Sequence, residues 1–324
     1  MKKILITGAA GFIGFHLAKS LLKDGETVFG LDSLNDYYDV NLKLARLELL
    51  NQYDNFSFEK INICNYNDVE EIFNLFSPQI VVNLGAQAGI RHSINAPFSY
   101  IESNIVGFMN IIEQCRHNKI ESFIYASSSS VYGSNSVIPF DESQIINSPI
   151  SLYAATKASN ELIAHAYSNL YDLHSTGLRY FTVYGPWGRP DMAVYKFTEK
   201  IKNDIEIEVY NNGMMKRDFT YIDDIISGTK MAINKNYKCE TFNLGNNTTV
   251  NLMDLVRIIE KELDKKAKIS FLPLQSGDII ESYADINKSK EMLDFFPSTK
   301  IEEGIKSFVD WYKKYSLSEN GVNI

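Results

Sequence analysis

The sequence predicts an α/β fold in which a doubly wound parallel sheet is followed by a smaller C-terminal α/β lobe. Three observations support this prediction: a glycine-rich turn near the N-terminus, strands that alternate with helices through the first half of the chain, and shorter elements after it. Such alternation is typical of parallel sheets covered by helices on both faces. We therefore expect one domain over residues 1–183, which a strand near 241–245 rejoins, and a smaller lobe over residues 184–324.

The composition is typical of a globular protein and restricts the classes of partner that the protein can bind. The chain has 324 residues, of which 45% are hydrophobic and 22% charged, so it can bury a sizeable core. The net charge of -8 comes without a basic block, which disfavours nucleic acid as a partner. No apolar run approaches membrane-spanning length, and Gly8 interrupts the N-terminal apolar stretch too early for a signal peptide. We expect a soluble, cytoplasmic protein without a membrane partner.

The cysteines at positions 64, 115 and 239 are scattered along the chain. Their spacing matches neither a metal-ligand set nor a disulfide framework, and it fits a reducing compartment. We expect small core side chains at these positions and no bound metal.

The first element is a short apolar strand that leads into Gly8, Gly11 and Gly14 and then into an amphipathic helix closed by Gly25. Glycines at this point permit a tight turn, a close backbone approach to a pyrophosphate, and a helix N-terminus aimed at the anion. A second strand ends at Asp32, whose carboxylate is placed to accept hydrogen bonds from adenosine ribose hydroxyls and to repel a 2′-phosphate. The pattern predicts a Rossmann site for NAD rather than NADP, with a flavodoxin-like turn without nucleotide as the alternative.

The next elements extend the predicted sheet. Residues 33–50 form an insertion with two tyrosines and an amphipathic helix pattern, which is either a substrate flap or packed surface. A third strand over residues 56–63 ends at Asn62 and Ile63, where an adenine lies in a doubly wound sheet. An amide side chain such as that of Asn62 can still hydrogen-bond to the base.

A fourth strand runs into Gly85 and Ala86, small residues that let the backbone approach a cofactor. A long helix is expected over residues 95–117, and the fifth strand after it ends in the serines at 127–130. Ligands of parallel sheets bind beyond the carboxyl ends of the strands. The glycine turn, the loop after the fourth strand and the serines are therefore predicted to share one site.

The C-terminal lobe is predicted from shorter elements. Residues 206–225 indicate strands around an Asn-Gly turn, followed by a helix, and residues 241–245 indicate a strand that rejoins the main sheet. Residues 251–263 and 301–315 have the pattern of amphipathic helices. Two-lobed enzymes hold substrate where such a lobe closes over the sheet.

Tyr153 and Lys157 lie four residues apart in a run with helical spacing, so they share one helix face. A cation near a phenol favours the phenolate, and the pair becomes a base suited to taking a proton from an alcohol. By itself this spacing is a weak signal, because a tyrosine packed on the core beside a solvated lysine gives the same pattern.

Together these segments resemble the extended short-chain dehydrogenase/reductase family, also described as the NAD-dependent epimerase/dehydratase family. The resemblance rests on TGAAGFIG, Asp32, SSSSVYG, the Tyr153–Lys157 pair and KRDFTYIDD, in this order. Longer runs, including LNDYYDVNLKLARL, QAGIRHS and GLRYFTVYGPWGRPDMA, are similar to members that epimerise UDP-glucuronate at carbon 4. The resemblance covers most of residues 4–225 and is looser in the C-terminal part.

The resemblance implies bound NAD, transient oxidation at carbon 4 of a UDP-sugar, and return of hydride to the opposite face. It implies that Tyr153 is first the base and then the acid, that Lys157 lowers its pKa and binds the nicotinamide ribose, and that Ser128 hydrogen-bonds the reacting oxygen. Ser129 and Ser130 are neighbours placed to meet the sugar, although a serine run at a strand end is also ordinary turn chemistry.

Further contacts follow from the resemblance alone. The residues that it assigns to the cofactor are Gly8, Gly11, Phe12, Ile13, Gly14, Asp32, Asn62, Ile63, Leu84, Gly85, Ala86, Gln87, Asn104, Tyr153, Lys157 and Tyr180. The residues that it assigns to the substrate are Arg91, Ser128, Ser129, Ser130, Thr182, Arg189, Arg217 and Asp278, with Arg217 on the diphosphate and Asp278 on the uridine ribose.

The substrate is narrowed by comparing residues with sister activities. Sugar-nucleotide dehydratases carry Asp and Glu where this chain has Ser129 and Ser130, so dehydration is disfavoured, and decarboxylation less strongly. Thr182 and Arg189 favour a uronate, because galactose-type epimerases typically have Asn at the first position and no evident counterpart of the second. Gln275 stands where those relatives have Arg, so diphosphate binding differs locally.

Two alternatives stay open. They are a 4-epimerase of neutral UDP-hexoses or UDP-N-acetylhexosamines, and a non-catalytic NAD-binding protein. The helices at 95–117 and 152–171 predict, with the family, a homodimer with a four-helix interface, unless one of these faces is internal core.

Overall fold

The computed structural model describes residues 1–134, 137–275 and 279–317. The strands are β1 (Lys3–Thr7), β2 (Thr27–Asp32), β3 (Phe56–Lys60), β4 (Ile80–Asn83), β5 (Ser122–Ser128), β6 (Ser175–Tyr180), β7 (Thr182–Tyr184), β8 (Ile207–Val209), β9 (Lys216–Arg217), β10 (Phe219–Tyr221), β11 (Cys239–Leu244), β12 (Val250–Asn251), β13 (Ile269–Phe271) and β14 (Glu281–Ser282). The α-helices are α1 (Phe12–Lys23), α2 (Val40–Leu50), α3 (Tyr66–Phe76), α4 (His92–Asn95), α5 (Pro97–Tyr100), α6 (Gly107–His117), α7 (Leu152–Tyr171), α8 (Ala193–Lys202), α9 (Ile222–Lys235), α10 (Leu252–Leu263), α11 (Asn287–Leu293) and α12 (Ile301–Tyr315).

Seven parallel strands form the main sheet, in the order β3-β2-β1-β4-β5-β6-β11. The predicted doubly wound α/β fold is confirmed. The order reverses at β1, and a doubly wound sheet binds its ligand at such a reversal. Strand β11 comes from the second half of the chain and lies beside β6 at the edge. The division into residues 1–183 and 184–324 stays a prediction.

Alternate side chains of each strand feed two separate cores, one on each face of the sheet. In β1, Ile4 and Ile6 join the core under α1 and α9, whereas Leu5 joins the core under α3, α6 and α7. Both cores are built from buried apolar side chains, and the sheet is covered by helices on both faces. The carboxyl edge of the sheet is left for polar residues.

The predicted long helix over residues 95–117 is interrupted. Ala96 leaves helical geometry (φ -130°) directly before Pro97, because a residue that precedes proline disfavours the α conformation. After α5 the chain continues as a π-helix, Ile101–Val106, and then as α6. The prediction of one continuous helix was wrong at this point.

Two further predictions differ from the structure. The third strand ends at Lys60 rather than at residue 63, because Asn62 makes an Asx turn in which its Oδ1 accepts from the Cys64 N–H at 3.0 Å. Strands β8 and β9 flank the predicted turn at Asn212 and Gly213 but do not pair with each other: β8 pairs with β13, whereas β9 pairs with β12 and β14.

Candidate active site

A cleft of about 830 Å³ lies at the carboxyl edge of the main sheet, between the sheet and the smaller C-terminal elements. The predicted site residues that line it are Gly8, Gly11, Phe12, Ile13, Gly14, Asp32, Asn62, Ile63, Leu84, Gly85, Ala86, Gln87, Arg91, Ser128, Ser129, Ser130, Tyr153, Lys157, Tyr180, Thr182, Arg189 and Arg217. Asp278 lies outside the described residues. Topology thus brings together side chains that are far apart in sequence, while the role of each stays a prediction.

The glycine turn has no room for side chains. Gly8 has φ +72°, which favours glycine, and an added Cβ on Gly11 would lie 2.9 Å from the Gly8 carbonyl oxygen. A Cβ on Gly14 would lie 2.1 Å from the same oxygen. The turn leads straight into the N-terminus of α1, where backbone N–H groups face outward toward an anion. These residues fit the diphosphate of a dinucleotide.

Asp32 ends β2 at the rim of this turn. Its Oδ1 accepts the Leu34 N–H at 2.9 Å, and the buried Lys43 ammonium lies 3.8 Å from the same oxygen. Burial lowers the pKa of Lys43, while the charge of Asp32 opposes that change. The carboxylate keeps acceptor positions for ribose hydroxyls, and Lys43, which the sequence interpretation missed, supplies a cation beside it.

Asn104 is buried below the cleft rather than among its lining residues. Its Oδ1 accepts the Gln87 N–H at 2.8 Å, and its Nδ2 donates to the Gln87 carbonyl at 3.0 Å and to Thr156 Oγ1 at 3.0 Å. The side chain therefore fixes the loop after β4 against α7. Its predicted contact with the cofactor stays a prediction.

Tyr153, Lys157 and Ser128 meet where α7 passes the end of β5. Burial raises the pKa of the Tyr153 phenol, and a hydrogen bond with Ser128 and the positive charge of Arg189 act in the opposite direction. Burial also lowers the pKa of Lys157 to about 8, against the charge of Glu161. Lys157 Nζ donates to the Ala126 carbonyl at 2.7 Å.

The effect of Lys157 on the Tyr153 pKa stays a prediction. Within the chain, Ser128 and Arg189 are groups that favour the Tyr153 phenolate. The Lys157 ammonium is directed to the Ala126 carbonyl. Helical spacing places two residues on one face, but it does not determine where a flexible lysine ends.

The serines at 127–130 differ in their hydrogen-bond partners. Ser127 is buried and its hydroxyl donates to Glu161, which pairs with Arg179 in a buried ion pair (2.7 Å). Ser128 Oγ lies 2.7 Å from Ser130 Oγ and faces the cleft. Ser127 thus bonds to a buried ion pair, although it lines the cleft together with Ser128, Ser129 and Ser130.

Arg189 is held by a carboxylate that the sequence interpretation did not single out. Its Nε donates to Asp191 Oδ1 at 3.0 Å and its Nη2 donates to Asp191 Oδ2. Burial disfavours the charged forms of both Arg189 and Asp191. The Arg189 guanidinium nevertheless lowers the pKa of the Asp191 carboxyl. Tyr37, from the insertion, donates to Asp191 Oδ2 at 3.2 Å. The two-residue spacing of Arg189 and Asp191 was the available sequence signal.

Tyr100 packs against the Tyr153 ring. It is fully buried, its ring meets Tyr153 edge to face at 6.1 Å, and its hydroxyl donates to the Ala88 carbonyl at 2.8 Å. No sequence motif indicated a role for this residue, because a tyrosine in an apolar helical run has the same pattern as an ordinary core residue.

Arg91 and Arg217, from two separate segments, also line the cleft. Arg91 stacks on the Tyr210 ring at 4.6 Å, and Arg217 Nη1 donates to the carbonyls of Lys216 at 2.9 Å and Ile280 at 3.1 Å. Thr182 lies in β7, where its N–H donates to the Asp218 carbonyl at 3.1 Å. The buried Asp218 carboxylate accepts N–H groups of Asn246, Asn247 and Ala284, which fixes the end of β9, where Arg217 lies.

Two absences apply to the part of the chain that the structure describes. None of its helices combines the length and the apolar character needed to cross a bilayer. Within the same residues, no three His, Cys, Asp or Glu side chains are grouped so as to hold a metal ion.

Comparisons with known proteins agree with this geometry. Residues 4–245 match the model of the NAD dependent epimerase/dehydratase family. Protein CapI of Staphylococcus aureus is 52% identical over 97% of this chain and 99% of that protein. UDP-glucuronate 4-epimerase 4 of Arabidopsis thaliana is 44% identical over 96% of this chain and 75% of that protein. The crystal structure of UDP-glucuronic acid 4-epimerase from Bacillus cereus, in complex with UDP-glucuronic acid and NAD, superposes with a TM-score of 0.91 at 35% identity, covering 96% of this chain and 99% of that one.

Proposed function

The chain belongs to the NAD-dependent epimerase/dehydratase family, as an NAD-dependent UDP-sugar epimerase, and from that premise we propose that it interconverts UDP-glucuronate and UDP-galacturonate. The observation that supports a uronate substrate is the position of Arg189. Its guanidinium lines the same cleft as Tyr153, and its charge acts on that phenol. The carboxylate of a uronate is the substrate group that such a cation complements. A neutral hexose offers no charge there.

Bound NAD supplies a reversible hydride acceptor for carbon 4 of the sugar. Tyr153 takes the proton from the carbon-4 hydroxyl and later returns it, and Ser128 holds the reacting oxygen by a hydrogen bond. Lys157 orients the cofactor's ribose and contributes positive charge near the phenol. Gly8, Gly11 and the N-terminus of α1 hold the diphosphate by backbone N–H groups.

The carboxylate needs restraint because the 4-keto uronate is a β-keto acid that loses carbon dioxide readily. Arg189 binds the carboxylate through fixed N–H groups, and the Thr182 and Ser129 hydroxyls are the neutral donors beside it. Held in this way, the carboxylate keeps its carbon–carbon bond while the ketone turns its other face. Arg217 binds the diphosphate of UDP.

The test is proton NMR of UDP-glucuronate incubated with the purified protein without added cofactor. We expect UDP-galacturonate to accumulate without a UDP-pentose, because NAD is retained from expression and the carboxylate is held. UDP-glucose and UDP-N-acetylglucosamine serve as parallel substrates. Turnover of these neutral sugars with none of UDP-glucuronate would reject the uronate assignment and leave the neutral-sugar epimerase.

We also propose that two copies associate through α5, the π-helix and α7. Four apolar side chains are exposed on these adjacent segments: Phe98 (79%), Ile101 (41%), Leu162 (68%) and Leu170 (71%). A patch of this kind on a water-exposed surface marks an interaction site. Two helices from each copy make a four-helix interface.

Leu162→Asp is expected to convert the dimer to monomer at micromolar concentration. The change removes two buried leucines from a two-fold interface at about 1.5 kcal/mol each, so dissociation rises by about 100-fold or more. Sedimentation velocity measures the outcome. Leu75→Asp is the matched control, since Leu75 has a similar exposure (71%, against 68% for Leu162) but lies on α3. A monomeric wild-type protein would exclude this interface.

A further inference from the structure

The insertion between β2 and β3 reaches the part of the cleft that contains Arg189. Tyr37 Oη donates to Asp191 Oδ2 at 3.2 Å, and the Tyr37 ring lies 4.8 Å from the His92 ring. Gly89 has φ +101°, and a Cβ at this position would lie 2.8 Å from Tyr37 Oη. Tyr37 therefore bridges the loop after β4 and the loop that carries Asp191, and Gly89 leaves the space that its hydroxyl occupies.

The insertion is docked on the sheet domain rather than free. Arg46, which is fully buried on α2, donates through Nη1 to the Ala10 carbonyl at 2.8 Å and through Nη2 to the Trp187 carbonyl at 2.6 Å. Lys43 Nζ donates to the Asn35 carbonyl at 2.9 Å. The Arg46 bonds tie the insertion to the glycine turn and to the start of the Arg189 loop, and the Lys43 bond holds the insertion together, so Tyr37 approaches Asp191 from a fixed base.

Asp191 uses only one edge of the Arg189 guanidinium. The carboxylate oxygens bind Nε and Nη2, which is the side-on edge. The end-on edge, formed by Nη1 and the second N–H of Nη2, is not engaged by Asp191, and a planar guanidinium can bind one carboxylate on each edge. Burial, and after it the charge of Asp191, raises the pKa of Tyr37 to about 12. The phenol therefore stays neutral and donates its hydrogen bond to Asp191.

We propose that Tyr37 and Asp191 are positioning residues that fix Arg189 so that its end-on edge receives the carboxylate of the substrate. The insertion thereby becomes a specificity element for uronates. This inference rests on the proposed uronate epimerase function. Its physical basis is that a long arginine side chain loses conformational freedom on binding, and a chain already held by Asp191 loses less.

The proposal predicts what happens when the support is removed. In Tyr37→Phe the ring against His92 is kept and the hydroxyl is lost, and in Asp191→Asn the charge that holds the side-on edge is lost. We expect the KM for UDP-glucuronate to rise by about 10-fold in Tyr37→Phe and by more in Asp191→Asn, with kcat changing less. A loosely held carboxylate also loses carbon dioxide, so the fraction of product that is a decarboxylated UDP-pentose rises in both variants.

Product fraction and KM are chosen because neither depends on how much of a variant is folded. Tyr53→Phe is the matched control: it makes the same chemical change beside the end of α2, where Tyr53 packs on the core away from the cleft. It should leave both quantities at wild-type values. The assay is quantitative NMR of the sugar nucleotides, with initial rates over a range of UDP-glucuronate concentrations.

Three results would overturn the proposal. An unchanged KM and an unchanged decarboxylated fraction in both variants would mean that Tyr37 and Asp191 only stabilise the loops. A lower KM in Asp191→Asn would mean that Asp191 competes with the substrate for Arg189 instead of orienting it. Failure of the wild-type protein to convert UDP-glucuronate would reject the proposed function itself, and this is seen before any variant is measured.

Discussion

Replacing Tyr153 by phenylalanine is expected to reduce epimerase turnover by between about 10²-fold and 10⁴-fold while the protein stays folded and keeps its NAD. The hydroxyl is the group that exchanges the proton with the substrate, and general acid–base catalysis contributes a factor of this size. The ring remains, so its edge-to-face contact with Tyr100 at 6.1 Å is preserved and the pocket keeps its shape. Initial rates by NMR, together with the NAD content of the purified protein, measure the outcome.

Tyr66→Phe is the control, because it removes a tyrosine hydroxyl at the start of α3, far from the cleft. It should match the wild-type rate. Turnover by Tyr153→Phe within a factor of two of wild type would remove Tyr153 from the proton transfer. Unchanged biological activity of a turnover-deficient variant would instead favour a protein that acts by binding NAD.

Much of the fold follows from residues whose physical requirement is local. The glycine turn has no room for side chains at Gly8, Gly11 and Gly14. Strand β1 is divided between two cores by the alternation of Ile4, Leu5 and Ile6. Both features can be inferred from the sequence. The glycine turn, the loop after the fourth strand and the serines at 127–130 were predicted to share one site because parallel strands present their carboxyl ends at one edge. Such inferences need the order of elements and no knowledge of side-chain direction.

Side-chain direction is where the sequence interpretation fell short. The spacing of Tyr153 and Lys157 placed both residues on one helix face, but it did not indicate that Lys157 donates to the Ala126 carbonyl. Four serines in a row gave no means of separating Ser127, which donates to Glu161, from Ser128, whose hydroxyl lies against that of Ser130. Long-range pairs decide these directions, and no local pattern encodes them.

The insertion is the clearest example of this limit. Its pattern predicted a helix, and α2 is present, but a flap and a packed surface were equally compatible with the tyrosines. The contact between Tyr37 and Asp191 joins residues 154 positions apart, so only the folded chain brings them together. Arg46 likewise donates to carbonyls that are distant in sequence, those of Ala10 in the glycine turn and of Trp187.

Gly14→Ala is expected to release NAD and to lower turnover by about 100-fold or more. The methyl group would lie 2.1 Å from the Gly8 carbonyl oxygen, which is backbone and cannot rotate away, so the glycine turn must shift. A displacement of about 1 Å at a bound reactant costs about 10²-fold in rate, and the N–H groups that face the diphosphate move with the turn. NAD content after gel filtration and the initial rate with added NAD measure the two effects.

Gly25→Ala is the control that distinguishes the steric contact at Gly14 from a general effect of backbone strain. Gly25 has φ +86° but nothing lies within 4 Å of an added Cβ, and the residue is at the far end of α1 from the cleft. It should cost about 1 kcal/mol of stability through its left-handed conformation, with NAD retained. If Gly14→Ala kept NAD while Gly25→Ala lost it, the diphosphate would not lie on the glycine turn, because only the first substitution alters the surface that faces the cleft. Equal loss in both variants would point to general unfolding, which thermal melting of each protein resolves.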